Sequence, residues 1–476
     1  MKLTDKRSKL VATIGPSTDN YETLKSIILN GVTCIRANFS HGTHEEHLNK
    51  FELAKKVSKD LNIPISLMLD TKGPEIRLGK MKDGIQLIPA NKVVKVWTTV
   101  EKYQNVEGTE DEITVAYDMS SDLKVGDEVL FDDGKLISIV TEVGKGYVLV
   151  KTQNQHKLKT NKRINLPGVE FSLPFLAQKD IDDVKFGIKI GINYVAASFV
   201  NSAKNVNELR TLLNENGGSH IKIISKIESS LGIKNINEII EASDGIMVAR
   251  GDLGLEIPYY DVPYFEKMMI RKCREAGKPV IVATQMLDSM ENSPHPTRAE
   301  VTDVYLATEL GADSTMLSGE TASGNFPVEA VKTMAAINQR AEKEFYNEVY
   351  YDTQLEEVRK KSTPDKRARI AYEVANRTRY GDYKFAVVLS RTGKLLEEVA
   401  KFRPNVIIIG IINDPKLIGG FGITSSVWNS MDSIKLFDLI KKNHGKASDA
   451  LKPYGVQKGD RFLVVENDVM TEHIAK

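Results

Sequence analysis

A chain of 476 residues exceeds what one hydrophobic core sustains, since cores stop growing beyond roughly 250–300 residues, so two or three domains are expected. Its 65 Lys and Arg nearly cancel its 64 Asp and Glu with no long block of like charge, which argues against nucleic-acid or membrane binding and points to a small-molecule partner. No apolar run approaches a membrane span, Met1 to Arg7 holds no apolar signal core, and Cys34 and Cys273 have neither disulfide nor metal spacing, so a cytoplasmic chain with two packing cysteines is expected.

The first predicted strand runs from Lys9 to Ile14. A helix follows, with Asp19 as the expected cap, Glu22 completing a capping box, and Leu24, Ile27 and Ile28 as its buried stripe. Val32 to Asn38 and Ile65 to Asp70 are the next nearly continuous apolar runs, the pattern of parallel strands buried on both faces. More than a hundred residues then separate the third such run from the fourth, which places an inserted domain after strand three. The insert alternates polar and apolar residues, as in Lys135 to Thr141 and Tyr147 to Lys151, around the turns Asp132-Asp133-Gly134 and Gly144-Lys145-Gly146. That is hairpin grammar, and it predicts a small β-barrel.

Tyr194 to Phe199, Ile221 to Ile227, Gly245 to Ala249, Val280 to Thr284 and Ser314 to Leu317 bring the strands to eight, and a last amphipathic helix carries Val328, Val331, Met334 and Ile337. Eight βα units predict a closed (β/α)8 barrel. Beyond Ala341, a helix, the strand Phe385 to Leu389, a turn at Ser390 to Lys394, a helix and the strand Val406 to Ile412 predict an open α/β domain. The expected division is therefore 1–73 and 167–341 for the barrel, 74–166 for the insert and 342–476 for the C-terminal domain.

A barrel of this kind builds its site where the strands end. Arg36, Asn38 and Ser40 alternate by two at the end of strand two, which points them the same way; Asp70 and Thr71 end strand three. Lys226 and Glu228 alternate at the end of strand five, and Asp252 follows strand six. Singly, Arg36 or Glu228 is more often a structural ion-pair partner than a catalytic group. Together they place a lysine and two carboxylates on neighbouring strands, which suits Mg2+ and phosphoryl transfer, where positioning and charge neutralisation are the protein's main tasks. Gly251 beside Asp252 offers a backbone anion site. No Walker loop occurs, and Ser390 to Lys394 has only part of one, so a nucleotide must be held differently.

These residues lie in segments that closely resemble the pyruvate kinase family: Arg36-Ala37-Asn38-Phe39-Ser40-His41-Gly42, Asp70-Thr71-Lys72-Gly73-Pro74-Glu75-Ile76-Arg77, Ser225-Lys226-Ile227-Glu228, Met247 to Gly254, Ala283-Thr284-Gln285-Met286-Leu287 and Met316 to Ala322. The resemblance implies phosphoryl transfer from phosphoenolpyruvate to ADP, giving pyruvate and ATP in the last step of glycolysis, with Mg2+ and K+ as cofactors. By the same likeness Glu228 and Asp252 are the Mg2+ ligands, and Lys226 stabilises the phosphoryl group in flight. Arg36 binds the substrate phosphate, Thr284 lies beside the enolate carbon, and the backbone of Gly251 and Asp252 cradles the substrate carboxylate. Asn38, Ser40, Asp70 and Thr71 resemble the K+ site; Asn38, His41, Arg77 and Lys162 resemble the nucleotide contacts. The insert is then a mobile lid, the assembly a homotetramer, and Glu75 the mark of a potassium-requiring member.

Ser229 and His295 depart from the family pattern, though neither is among these ligands, and the tail Val464 to Asp468 lacks the Gly-rich ending of an effector loop, which argues against activation by a sugar phosphate. Two other readings stand beside the kinase: an Mg2+ lyase or aldolase on a related barrel, against which Lys162 and the insert speak, and an inactive homologue, against which Lys226, Glu228, Asp252 and Thr284 speak.

Overall fold

Eight parallel strands, Lys9–Thr13, Cys34–Asn38, Ser66–Asp70, Tyr194–Ala197, Lys222–Ile227, Gly245–Ala249, Val280–Ala283 and Ser314–Leu317, close into a barrel in a computed structural model that describes residues 6–170, 172–347 and 349–476. Met1 to Asp5 of the opening segment lie outside the described residues. The strands are the eight apolar runs of the sequence, shortened by one or two residues at some ends. They are buried on both faces: Val11, Cys34, Met68, Ile224 and Met316 fill the inside, while neighbours such as Leu10, Ile35 and Val195 pack outward under the helices. This two-sided burial is why the runs read as continuous rather than alternating.

The first helix, Tyr21–Leu29, buries Leu24, Ile27 and Ile28 as its periodicity requires, but its cap differs from expectation. Asn20, not Asp19, accepts the Thr23 N–H at 3.0 Å. With Asn20 as the cap, Glu22 stands at the second helical position, one short of where a capping-box side chain reaches back.

Between the third and fourth barrel strands, residues 76–165 form a seven-stranded sheet whose two edges meet at the antiparallel bridge Leu78 to Val115, with Gly79 N–H donating to Thr114 O at 2.8 Å. Val94, Val96, Val129, Val148 and Val150 are among the residues that fill it. Its hairpin turns fall at the expected glycines: Asp132, Asp133 and Gly134 all have positive φ, as has Gly146. The C-terminal sheet has the order Val427–Asn429, Ile407–Ile412, Tyr383–Ser390, Arg461–Glu466, Val469–Ile474, the last pair antiparallel. Its loop before Val427 plugs the barrel: Ile423 joins the barrel-interior cluster, and Thr33 Oγ1 donates to Gly422 O at 2.6 Å. Cys34 and Cys273 are buried free thiols in a strand and a helix. Among the described residues no helix is long and apolar enough to cross a membrane.

Candidate active site

The carboxyl ends of the barrel strands gather charge. Asn38 and Asp70 are register partners on adjacent strands, and Arg36, two residues before Asn38, turns its Nε onto Asp70 Oδ2 at 2.6 Å and its Nη1 onto Thr13 Oγ1 at 2.8 Å. From the fifth strand Lys226 donates to the other Asp70 oxygen at 3.1 Å and to Ser198 Oγ at 2.9 Å, and pairs with Glu228 Oε1 at 3.0 Å. Burial alone would lower the Lys226 ammonium and raise the Asp70 carboxyl. The carboxylates of Asp70 and Glu228 hold Lys226 above its ordinary value instead, while Arg36 and Lys226 hold Asp70 below its own. All these groups are buried, so each ion pair is strong and each charge depends on its neighbours.

Glu228 also accepts the Phe199 N–H at 2.7 Å and lies close to Asp252. Phe199 has φ 54°, a left-handed conformation unusual for a bulky residue, and it presents its amide to the carboxylate there. Burial pushes the Glu228 carboxyl up to about 7 despite Lys226, with Asp252 adding to the rise. Burial acts the same way on Asp252, but Arg163 and Lys226 outweigh it and hold that carboxyl low. Two buried carboxylates forced together in this way are a donor set that fits a divalent cation. Among the described residues no group of three or more His, Cys, Asp or Glu could hold a metal by itself, so an ion held by Glu228 and Asp252 would need further oxygens from water or substrate, as Mg2+ commonly does.

Thr284 and Gln285 both have positive φ, 69° and 52°. Arg250 fixes them, its Nη2 donating to the carbonyls of Thr284 at 2.9 Å and Gln285 at 3.3 Å while its Nη1 is tied to Asp303 at 2.6 Å and Glu266 at 3.2 Å. The Gly251 N–H donates to Thr284 Oγ1 at 2.7 Å, so the expected carboxylate cradle and the expected neighbour of the enolate carbon are in direct contact. A Cβ at position 251 would come 3.3 Å from that hydroxyl, tighter than ordinary contact.

The residues expected at the potassium and nucleotide sites lie around this cluster. Ser40 N–H donates to Asn38 Oδ1 at 3.1 Å, and Thr71 Oγ1 accepts the Ser198 N–H at 3.0 Å. Asn38, Ser40, Asp70 and Thr71 are thus tied along two adjacent strand ends, a set of hard oxygens with one carboxylate that suits an alkali cation. His41 sits in the loop after strand two, where its carbonyl is bonded to His47 Nε2 at 2.8 Å. Arg77 is held by Glu75 at 2.8 Å, and Lys162 by Asp132 at 2.8 Å. Among the described residues none of the side chains of Asn38, His41, Arg77 and Lys162 is hydrogen-bonded or ion-paired to Lys226, Glu228 or Asp252. Lys162 and Arg163 are neighbours at a strand start and point apart, and it is Arg163 that enters the centre, its Nη1 2.5 Å from Asp252 Oδ1. Arg163, Ser198 and Arg250 were not singled out from the sequence. Ser198 had a signal, standing at a strand end; the other two had none beyond lying beside named residues.

A closed (β/α)8 barrel with a buried lysine and two arginines among three carboxylates at its strand ends defines an enzyme of the phosphotransferase class. Comparison with known proteins narrows this. The family model for the pyruvate kinase barrel domain matches residues 5–331. The chain is 41% identical to a pyruvate kinase of Mycoplasma pneumoniae over 94% of each chain, and 39% identical to one of Clostridium acetobutylicum over 96% of this chain and 95% of the other. A crystal structure of a pyruvate kinase from Cryptosporidium parvum superposes with TM-score 0.91 at 33% identity, covering 100% of this chain and 97% of that one. The chain belongs to the pyruvate kinase family.

Proposed function

We propose that this chain moves the phosphoryl group of phosphoenolpyruvate onto ADP, giving pyruvate and ATP. The observation that carries the reading is Lys226, a buried ammonium shared between Asp70 and Glu228 with Arg36 on the far side of Asp70. A phosphoryl group brought there meets two cations already oriented by carboxylates, so little reorganisation is left for the moment of transfer. Arg36 binds the phosphate, Lys226 neutralises charge on the moving group, and the Gly251 and Asp252 amides orient the substrate carboxylate once Thr284 releases the first of them. The Thr284 hydroxyl, which donates to Ala283 O at 2.6 Å, stands ready to hold the proton that the enolate carbon takes up. Glu228 and Asp252 would hold Mg2+, which supplies Lewis-acid charge for the phosphoryl oxygens. Asn38, Ser40, Asp70 and Thr71 would hold K+.

Asn38, His41, Arg77 and Lys162 bind the nucleotide in this reading, and residues 74–166 act as a lid that excludes water from the transfer. The enzyme works in the cytoplasm as a homotetramer, for which the exposed aromatic patch of Tyr259, Tyr260 and Tyr264 offers a surface. A coupled assay of pyruvate formation from phosphoenolpyruvate tests the whole reading, with ADP, Mg2+ and K+ withdrawn in turn. Pyruvate release that ignores ADP would replace the kinase by a lyase or phosphatase; no pyruvate under any condition would mark an inactive homologue.

A further inference from the structure

Residues 76–165 are joined to the barrel by one ion pair among the described residues, Arg163 to Asp252, and that pair occupies a proposed metal ligand. Arg163 begins the insert's return strand, Arg163–Asn165. Its guanidinium lies 5.0 Å above the Phe199 ring, on the residue whose amide holds Glu228, and its Nη2 is buried without a hydrogen-bond partner. With Arg163 counted, three cations, Arg36, Lys226 and Arg163, face three carboxyl groups, Asp70, Glu228 and Asp252. A divalent cation entering between Glu228 and Asp252 adds two positive charges to a buried set and meets the guanidinium face to face. Both cannot hold Asp252 closely in a medium of low dielectric.

We propose that Arg163 is a lid latch: it holds Asp252 while no divalent cation is bound, and a divalent cation displaces it, so that metal loading unfastens the insert and frees it to turn before it closes over substrate. The inference rests on the reading of Asp252 as a metal ligand. The displaced guanidinium has a place to go. A cavity of about 300 Å³ adjoins Arg163 and is lined by the carboxylate of Glu75, which belongs to the insert itself. The crossings between barrel and insert are built to turn, since Gly73 and Gly168 flank the insert with φ 69° and 72°. At Gly73 a Cβ would come 2.7 Å from Ser198 Cβ, so the first crossing admits no larger residue without a shift. Metal affinity and insert position are then two ends of one equilibrium, each biasing the other by the same factor.

The test uses the full chain without substrates. Mn2+ affinity is measured by the loss of free-ion electron paramagnetic resonance signal, and backbone hydrogen exchange is followed at residues 73–77 and 163–168. In the wild type, Mn2+ is expected to speed exchange in both segments. Arg163→Met is expected to bind Mn2+ about tenfold more tightly and to exchange rapidly with or without it, because the latch is gone. Arg163→Lys keeps the charge without the planar fork, should fall between the two, and guards against a folding failure of the methionine variant. Asp252→Asn should weaken Mn2+ binding. If that variant loses Mn2+ while Arg163→Met binds it no better than the wild type, or if wild-type exchange ignores Mn2+, the latch is overturned and the metal site stands. If the wild type binds no Mn2+, or Asp252→Asn binds it unchanged, the metal assignment falls and the latch with it.

Discussion

At the end of the barrel where the strands begin, Asp313 accepts hydrogen bonds from Val280 N–H at 3.0 Å, Ser425 N–H at 3.1 Å and Arg403 Nη2 at 2.5 Å; Glu342 nearby accepts the Arg7 and Ser8 amides at 2.9 Å each. At the other end, Asp70, Glu228 and Asp252 are held largely by the side chains of Arg36, Lys226 and Arg163. Both sets are buried carboxylates beside arginines, yet they serve different ends. Carboxylates bonded to main-chain amides cannot exchange partners without local unfolding, so the lower set fastens the C-terminal domain and the first strand to the barrel floor. Side-chain cations can turn toward a newcomer, so the upper set is available to substrate. Amide partners predominate where the carboxylates serve architecture, and side-chain partners where they serve chemistry, although Glu228 also takes the Phe199 amide and Asp313 the Arg403 guanidinium.

The sharpest way to break this contrast is Lys226→Met. Turnover is expected to fall by several powers of ten while the half-saturating phosphoenolpyruvate concentration stays within about tenfold, because the ammonium matters most when the phosphoryl group is in flight. Near-normal turnover of the purified variant would move the chemistry away from this cluster. The matching change at the floor is Asp313→Ala. It leaves Arg403 buried without its carboxylate and should cost roughly 3–5 kcal/mol of stability, read as a lower Tm, with substrate KM nearly unchanged. A variant that keeps its Tm but loses turnover would reverse the roles of the two ends.

Potassium dependence probes the upper end more gently. Glu75, paired with Arg77, adds an anion to the segment that follows Asp70 and Thr71 of the proposed monovalent site. Activity is expected to be low in tetramethylammonium buffer and to rise strongly with millimolar K+. Glu75→Lys should recover part of the loss, about tenfold, since an ammonium there supplies charge that K+ otherwise brings. Wild-type activity unchanged by K+ removal at constant ionic strength would show that Glu75 has no such part.

The smallest effect is expected at Glu256, on the cavity between insert and barrel. Burial pushes its carboxyl up to about 7, against the pull of the Gly168 N–H and Arg163. A carboxyl raised above its unfolded value is protonated in the native protein at pH values where the unfolded chain has ionised. Its stability is therefore present below the unfolded pKa and lost as pH climbs to about 7. Glu256→Gln, neutral throughout, should match the wild type in unfolding free energy at pH 4.5 and exceed it at pH 8 by about 1–2 kcal/mol, after allowance for residual exposure, read as a higher Tm at pH 8. Equal pH profiles for the two proteins would show that Glu256 stays ionised in the fold.

Much of this was legible in one dimension. The eight strands announced themselves because burial on both faces demands unbroken apolar runs, and the strand-end rule then singled out Arg36, Asp70, Lys226, Glu228 and Asp252 without any coordinates. The insert's hairpins were legible because only certain residues tolerate the positive φ that their turns require at Asp132, Asp133 and Gly134. The strands Val427–Asn429, Arg461–Glu466 and Val469–Ile474 were not separated in the reading of the C-terminal sheet; the first is only three residues long and the last is at most half-buried, so their apolar signal weakens.

Pairing across the fold was beyond the sequence. Arg163 and Asp252 are 89 residues apart, Arg403 and Asp313 are 90, and nothing in either local pattern says that they meet. Local sequence fixes what is periodic, because helices and strands repeat over a few residues and each repeat reports its own burial. Which carboxylate meets an amide and which meets a mobile cation depends on how separate elements close around one another. That choice, which divides the floor of the barrel from its site, was made by the tertiary structure alone.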